Sequence, residues 1–261
     1  MTSPQLAGST AVVTGASRGF GLAVAAELVR QGARVAGVAR DGTRLAAAAA
    51  ELGAGFTPVA ADAADPVVAG QLIDTYQPGL IILAAGVPPL SRPLHQHSWQ
   101  SFSRVWDVDV QQVFHWTREA LLRPLAPGSS VIAFSSGAAL FGSPLSGGYA
   151  GAKATIRFMT QYAAEESDRA GLGIRFVSVL PQLTPETELG AAGVAAYAAR
   201  AGLDIPEFLA SRGPSLTPEQ TGKAVLDLAT RTGHGAYLLA AAGLKELWSG
   251  PSTPIAWRSA A

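Results

Sequence analysis

Three side chains in the middle of the chain have the types and spacing to move a proton. Tyr149 and Lys153 lie four residues apart near the start of a stretch that reads as helix, so they share one face. A free phenol ionises near a pKa of about 10. A neighbouring ammonium and the positive end of a helix both favour the phenolate, which brings such a group toward use as an acid or base. Ser136 follows an apolar run and offers a hydroxyl to the same substrate oxygen. It lacks the strand–elbow–helix setting of a G-x-S-x-G nucleophile, so a serine hydrolase is not indicated.

A second chemical signal stands near the beginning. Thr14-Gly15-Ala16-Ser17-Arg18-Gly19-Phe20-Gly21 follows an apolar run and opens a helical pattern. Glycine suits a tight turn whose backbone must approach a pyrophosphate, and the helix start presents unpaired N–H groups and partial positive charge. In a dinucleotide-binding chain the end of the next strand separates the two nicotinamide cofactors, because an acid there holds the ribose hydroxyls of NAD. Here that position is Ala39, followed by Arg40, with Asp41 read as a helix cap. Arg18 and Arg40 supply guanidiniums suited to a 2′-phosphate, so NADP(H) is favoured over NAD(H).

The elements that must position these groups alternate along the chain. Apolar runs at Thr10–Thr14, Arg34–Ala39, Phe56–Ala60, Leu80–Ala84, Ser130–Ser135, Ile174–Leu180 and Ala236–Ala241 read as seven strands. Between them, helices are expected over Gly19–Gln31, from the Asp41 cap to Leu52, and from Asp65-Pro66 to about Gln77. Longer helices follow at Ser98 to about Arg123 and Gly148 to Ala170, with another opening at Thr217-Pro218-Glu219-Gln220. The pattern predicts an α/β fold, a Rossmann-like doubly wound parallel seven-stranded sheet with helices on both faces, as one domain over 1–261. The segment at about 183–214, with helical pieces at Ala191–Ala201 and Asp204–Arg212, reads as an insertion placed to cover the crevice at the strand ends.

Composition narrows the function classes. The 261 residues carry 19 basic and 19 acidic side chains, a balance that argues against a nucleic-acid partner and against a polybasic membrane surface. With no cysteine, disulfides, thiolate metal sites and cysteine nucleophiles are excluded. His95 and His97 lack a third ligand at recognisable spacing, so no metal is expected. The first residues show no basic-then-apolar leader, and no run is long enough to span a membrane, so a cytoplasmic location is expected.

Taken together, these motifs resemble the short-chain dehydrogenase/reductases of single-domain type over nearly the whole chain. The resemblance rests on TGASRGFG at Thr14–Gly21, Asp62 after the third strand, LAAG at Leu83–Gly86, Ser135-Ser136, and YAGAK at Tyr149–Lys153, with Ser136 thirteen residues before Tyr149. It implies that Tyr149 exchanges a proton with the substrate oxygen while hydride moves to or from the nicotinamide. It further implies that Lys153 lowers the Tyr149 pKa and holds the ribose, and that Ser136 orients the carbonyl. Asp62 and the Ala63 backbone would face the adenine. Ala85 and Gly86 would line the cofactor edge, as would Pro181 and Gln182, while Thr184 and Thr187 would meet the carboxamide. A homodimer or homotetramer is implied in the same way; the aromatic-rich stretch of Phe102, Trp106, Val110, Val113 and Trp116 reads first as core.

Four positions depart from the family pattern. Leu83-Ala84-Ala85-Gly86 replaces Asn-Asn-Ala-Gly, with apolar packing expected to take over the bracing. Asp109 stands for the Asn that supports a proton relay to the lysine, and adds a negative charge near Lys153. Pro181-Gln182 replaces Pro-Gly, and Ala240-Ala241-Ala242-Gly243 replaces a closing Asp-Gly-Gly signature. The walls expected around a substrate are Val87–Leu94, Gly137–Leu145 and Leu183–Pro214, which contain Phe141, Tyr197 and Phe208 with Arg92 and Arg212 as charged exceptions. Such walls suit a largely apolar small-molecule carbonyl or alcohol. The leading reading is therefore an NADPH-dependent carbonyl reductase. Asp109 and Gln182 keep open a catalytically impaired cofactor-binding sensor or scaffold, and the same hydride geometry would also serve C=C or C=N reduction.

Overall fold

Period-two alternation inside the apolar runs sets the layering. In the computed structural model, which describes residues 6–249, seven strands run parallel: β1 (Thr10–Thr14), β2 (Arg34–Ala39), β3 (Phe56–Ala60), β4 (Leu80–Leu83), β5 (Ser130–Phe134), β6 (Arg175–Pro181) and β7 (Gly235–Ala240). An eighth, β8 (Gly243–Ser249), returns antiparallel along β7, and the order is β3-β2-β1-β4-β5-β6-β7-β8. Val13, Ile82, Ile132 and Val177 face one side of the sheet; Val12, Ile81, Val131 and Phe176 face the other. Burying each such side chain contributes about 1.5–3 kcal/mol, which pins the register of the central strands.

The helices divide between those two faces. α1 (Gly19–Arg30), α2 (Gly42–Leu52) and a helix near the C-terminal end cover the first. On the opposite face lie α3 (Pro66–Tyr76), then α4 (Trp99–Ser103), a turn of π-helix at Trp106–Val110, and α5 (Gln111–Leu122). The short α6 (Ala138–Phe141) follows β5, and α7 (Gly147–Arg169) returns across the second face. After β6 come α8 (Glu188–Ala201) and α9 (Ile205–Ala210), and α10 (Pro218–Thr230) packs beside α1 to complete the first face. The capping signals are used as expected: Asp41 accepts from the Arg44 N–H at 3.0 Å, Asp65 from Val67 at 2.8 Å, and Thr217 forms a capping box with Gln220.

Three expectations are corrected. The sheet has eight strands rather than seven. Lys245 and Glu246 interrupt the apolar run of β8, which is a half-exposed edge strand that packs Trp248 against the core. The single helix expected from Ser98 to Arg123 is broken into α4, the π turn and α5, with neither Pro nor Gly to mark the break. The helix of the inserted segment starts at Glu188, not Ala191, because Thr187 caps it by accepting from the Gly190 N–H at 3.1 Å. The ends of the expected 1–261 domain, residues 1–5 and 250–261, lie outside the described residues. No helix among the described residues is long and apolar enough to cross a membrane.

Candidate active site

The sheet changes direction of winding between β1 and β4, so the loops beyond their carboxyl ends leave a crevice, where open α/β sheets bind ligands. One cleft of about 1040 Å³ opens there. It is lined by the glycine turn, the loops after β4, β5 and β6, the start of α7, and one side of α8. Every residue singled out from the sequence for catalysis or cofactor binding lines this cleft.

At its chemical end, Tyr149 is the third residue of α7 and Lys153 follows one turn later. The Lys153 ammonium lies 5.5 Å from the centre of the Tyr149 ring and donates to the Phe134 carbonyl at 3.0 Å. The Ser135 hydroxyl donates to the Lys153 carbonyl at 2.7 Å, tying α7 to the end of β5. Ser136 is half-buried and accepts from the Ala138 N–H at 3.2 Å, so its own proton is available to a ligand. The π turn carries Asp109 inward, fully buried, with Oδ1 accepting from the Val87 N–H at 3.0 Å. Its Oδ2 sits 3.0 Å from Lys153 Nζ, an ion-pair contact, and has no hydrogen-bond partner among the described residues. Burial alone would push the ammonium down, but the charges of Asp109 and Tyr149 outweigh it and hold Lys153 above the usual lysine value.

The cofactor end is shaped by close backbone approach. Gly15 adopts φ +70°, and a Cβ there would stand 2.8 Å from the Ala85 backbone. A Cβ on Gly86 would lie 2.7 Å from Asp109 Oδ2. Ser17, Gly19, Phe20 and Gly21 complete the turn into α1, whose first residues receive no side-chain cap from Arg18, leaving N–H groups for phosphate. Asp62 accepts from the Ala64 N–H of its own turn at 3.0 Å, and the Ala63 carbonyl accepts from Trp116 at 3.0 Å; both residues line the cleft. Pro181 is buried and Gln182 exposed, its N–H donated to Leu239 at 2.9 Å. The Thr184 hydroxyl is already given to the Leu216 carbonyl at 2.6 Å, and the Thr187 hydroxyl caps α8. A crevice with a cradle only glycine permits and an uncapped helix start fits a dinucleotide.

Two functional residues were missed in the sequence. The side-chain amides absent from Leu83–Gly86 are replaced in part by apolar packing, with Leu83 buried in the core and Ala84 packed against it, and in part by Gln112, buried on α5. Its Oε1 accepts from the Thr14 hydroxyl at 2.8 Å and its Nε2 donates to the Ala85 carbonyl, while Thr14 Oγ1 accepts from Ala84 and Ala85 at 3.0 and 3.1 Å. The other is Arg44, on the first turn of α2. Arg44 and Arg18 both bond Glu188, Arg44 at 2.8 Å, and Arg44 also contacts Asp41 at 3.4 Å. Arg40 lies exposed on the same rim. An arginine three residues beyond the cap was the available signal.

At the outer end, Pro88, Pro89, Phe141, Leu183, Tyr197 and Arg212 line the cleft. Phe208 does not; it is buried under α8 against Val194 and Ala198. Arg92 is likewise not among the lining residues, and its backbone N–H donates to Leu145 at 2.7 Å. The Ser143 hydroxyl bonds Tyr197, joining the loop after α6 to α8, and lies 2.5 Å from the Ser146 hydroxyl.

With this geometry in view, a family model described as short chain dehydrogenase matches residues 9–197. The chain is a short-chain dehydrogenase/reductase. Among curated relatives of this oxidoreductase, it is 33% identical to a "Probable NADP-dependent dehydrogenase" of Haemophilus influenzae, over 69% of this chain and 73% of the relative. It is 31% identical to the serine 3-dehydrogenase of Agrobacterium fabrum over the same shares. A solved 3-ketoacyl-(acyl-carrier-protein) reductase from Brucella melitensis, complexed with NADH, shares the fold with a TM-score of 0.74 at 23% identity, covering 90% of this chain and 97% of that one. The short-chain dehydrogenase family carries a nicotinamide cofactor; the crevice just described is where this member would hold it.

Proposed function

We propose that this short-chain dehydrogenase is an NADPH-dependent carbonyl reductase, reversible as an alcohol dehydrogenase, acting on a largely apolar small molecule. What carries the reading is that Ser136, Tyr149 and Lys153, with the Lys153 ammonium 5.5 Å from the Tyr149 ring, line the same cleft as Arg18 and Arg44. The nicotinamide, when bound, supplies the hydride. The Ser136 hydroxyl donates to the carbonyl oxygen and aims it at Tyr149. Tyr149 then gives that oxygen its proton as negative charge develops there. Lys153 stabilises the phenolate left behind, and its ammonium would help hold the ribose hydroxyls of a bound cofactor. Asp109 keeps that ammonium charged in a buried site while offsetting part of its field.

Arg18, Arg44 and Arg40 support a 2′-phosphate at the adenosine end, and the Haemophilus relative's name points the same way. Pro88, Pro89, Phe141 and Leu183 favour an uncharged, largely apolar body for the substrate. Exposed Phe114, Phe158, Tyr162 and Leu122 on α5 and α7 support pairing of two copies, as a dimer or within a tetramer.

The test is loss of nicotinamide absorbance when the protein meets NADPH and a panel of carbonyls. Tyr149→Phe is expected to keep cofactor binding and lose turnover by about a thousandfold. Tight NADPH binding with no turnover on any carbonyl overturns the reductase in favour of a sensor or scaffold. Turnover confined to enones or imines moves the reading to C=C or C=N reduction.

A further inference from the structure

The arginines that would grip a 2′-phosphate are already bonded to a carboxylate of this chain. Glu188, first residue of α8, puts one oxygen on Arg18 of the glycine turn and the other on Arg44 of α2, the latter at 2.8 Å. Three segments far apart in sequence thus meet at one point on the cleft rim, and all three side chains line the cleft. Asp41 adds a second acid, 3.4 Å from Arg44, while Arg40 stands exposed beside them. Thr187, the residue before Glu188, caps α8 by accepting from the Gly190 N–H at 3.1 Å, and its methyl group lies 3.6 Å from where a Cβ of Gly19 would be.

Resting on the cofactor reading above, we infer that Glu188 is a specificity-determining residue that competes with the 2′-phosphate of NADPH for Arg18 and Arg44. A phosphate monoester carries nearly two negative charges and three acceptor oxygens, and so displaces a single carboxylate from a pair of guanidiniums. NADH brings no such group and leaves the Glu188 bridge intact. The bridge therefore acts against NADPH alone and narrows the gap between the two cofactors. The side chains are 45–61% exposed, so the exchange is between solvated ion pairs and its effect is modest.

The experiment is a pair of binding titrations, NADPH and NADH, followed by the change in protein fluorescence. Glu188→Gln is expected to tighten NADPH about twofold to fivefold and to leave NADH unchanged within error. The gain should vanish in Glu188→Gln combined with Arg44→Ala, and thermal melting of each variant establishes that it folds. Equal changes for both cofactors, or weaker NADPH binding in Glu188→Gln, overturn the inference. If Arg18→Ala and Arg44→Ala weaken NADPH selectively while Glu188→Gln gains nothing, the inference falls and the NADPH reading stands. If the unaltered chain binds NADH as tightly as NADPH and neither arginine variant discriminates, both fall.

Discussion

Twice along the cleft a carboxylate of the chain holds a cation, yet the two arrangements differ in surroundings. Asp109 and Lys153 are 0% and 7% exposed, on a π turn and a long helix packed against the sheet. Glu188 with Arg18 and Arg44 sits in solvent at 61%, 46% and 45% exposure. Buried, an ion pair cannot be broken without stranding a charge, so it sets the resting electrostatics of the chemical step. Exposed, the same contact is screened and exchangeable, as the proposed competition with a phosphate requires. Burial thus separates a fixed charge from a negotiable one within a single cleft.

The largest expected effect of breaking this contrast comes from Asp109→Ala. It leaves the Lys153 ammonium unpaired and the Val87 N–H without its acceptor, and should cost about 3–5 kcal/mol in urea unfolding. Asp109→Asn is gentler and tests the charge alone. Because the native pair raises Lys153 above the ordinary 10.5, its stabilisation is complete below that value and lost as pH rises through the raised one. Asp109→Asn removes that support and leaves burial dominant, so the variant should be less stable than the native chain at neutral pH and recover part of the deficit as pH rises and Lys153 sheds its proton, read by urea unfolding from neutral to alkaline pH. The smallest effect is at the rim, where Arg44→Ala should change the melting temperature by at most about 2 °C. A large loss there would mean that the rim cluster holds the fold, and the contrast would disappear.

Features written in neighbouring residues were legible in the sequence. The parallel strands, the caps at Asp41, Asp65 and Thr217, the glycine turn, and the order of Ser136, Tyr149 and Lys153 each depend on short-range spacing or turn chemistry. What escaped depends on partners distant in the chain. Gln112 meets Thr14 across 98 positions, and Glu188 meets Arg18 across 170. Nothing in a helical pattern tells a buried brace from an exposed amide. The π turn escaped for a related reason: it is held by what Asp109 touches inside the protein, while the local sequence favours an unbroken helix.

One consequence of the Gln112 brace concerns how α5 can move. One turn beyond Gln112, Trp116 fastens the same helix to the Ala63 carbonyl at 3.0 Å, so α5 is pinned to both crests that flank the dinucleotide crevice. A slip of one residue would carry the helix about 1.5 Å along its axis, more than either bond tolerates. Helix and crests therefore behave as one rigid piece. A load applied to exposed Phe114 of α5 would be delivered to both crests of the crevice, with little slack between.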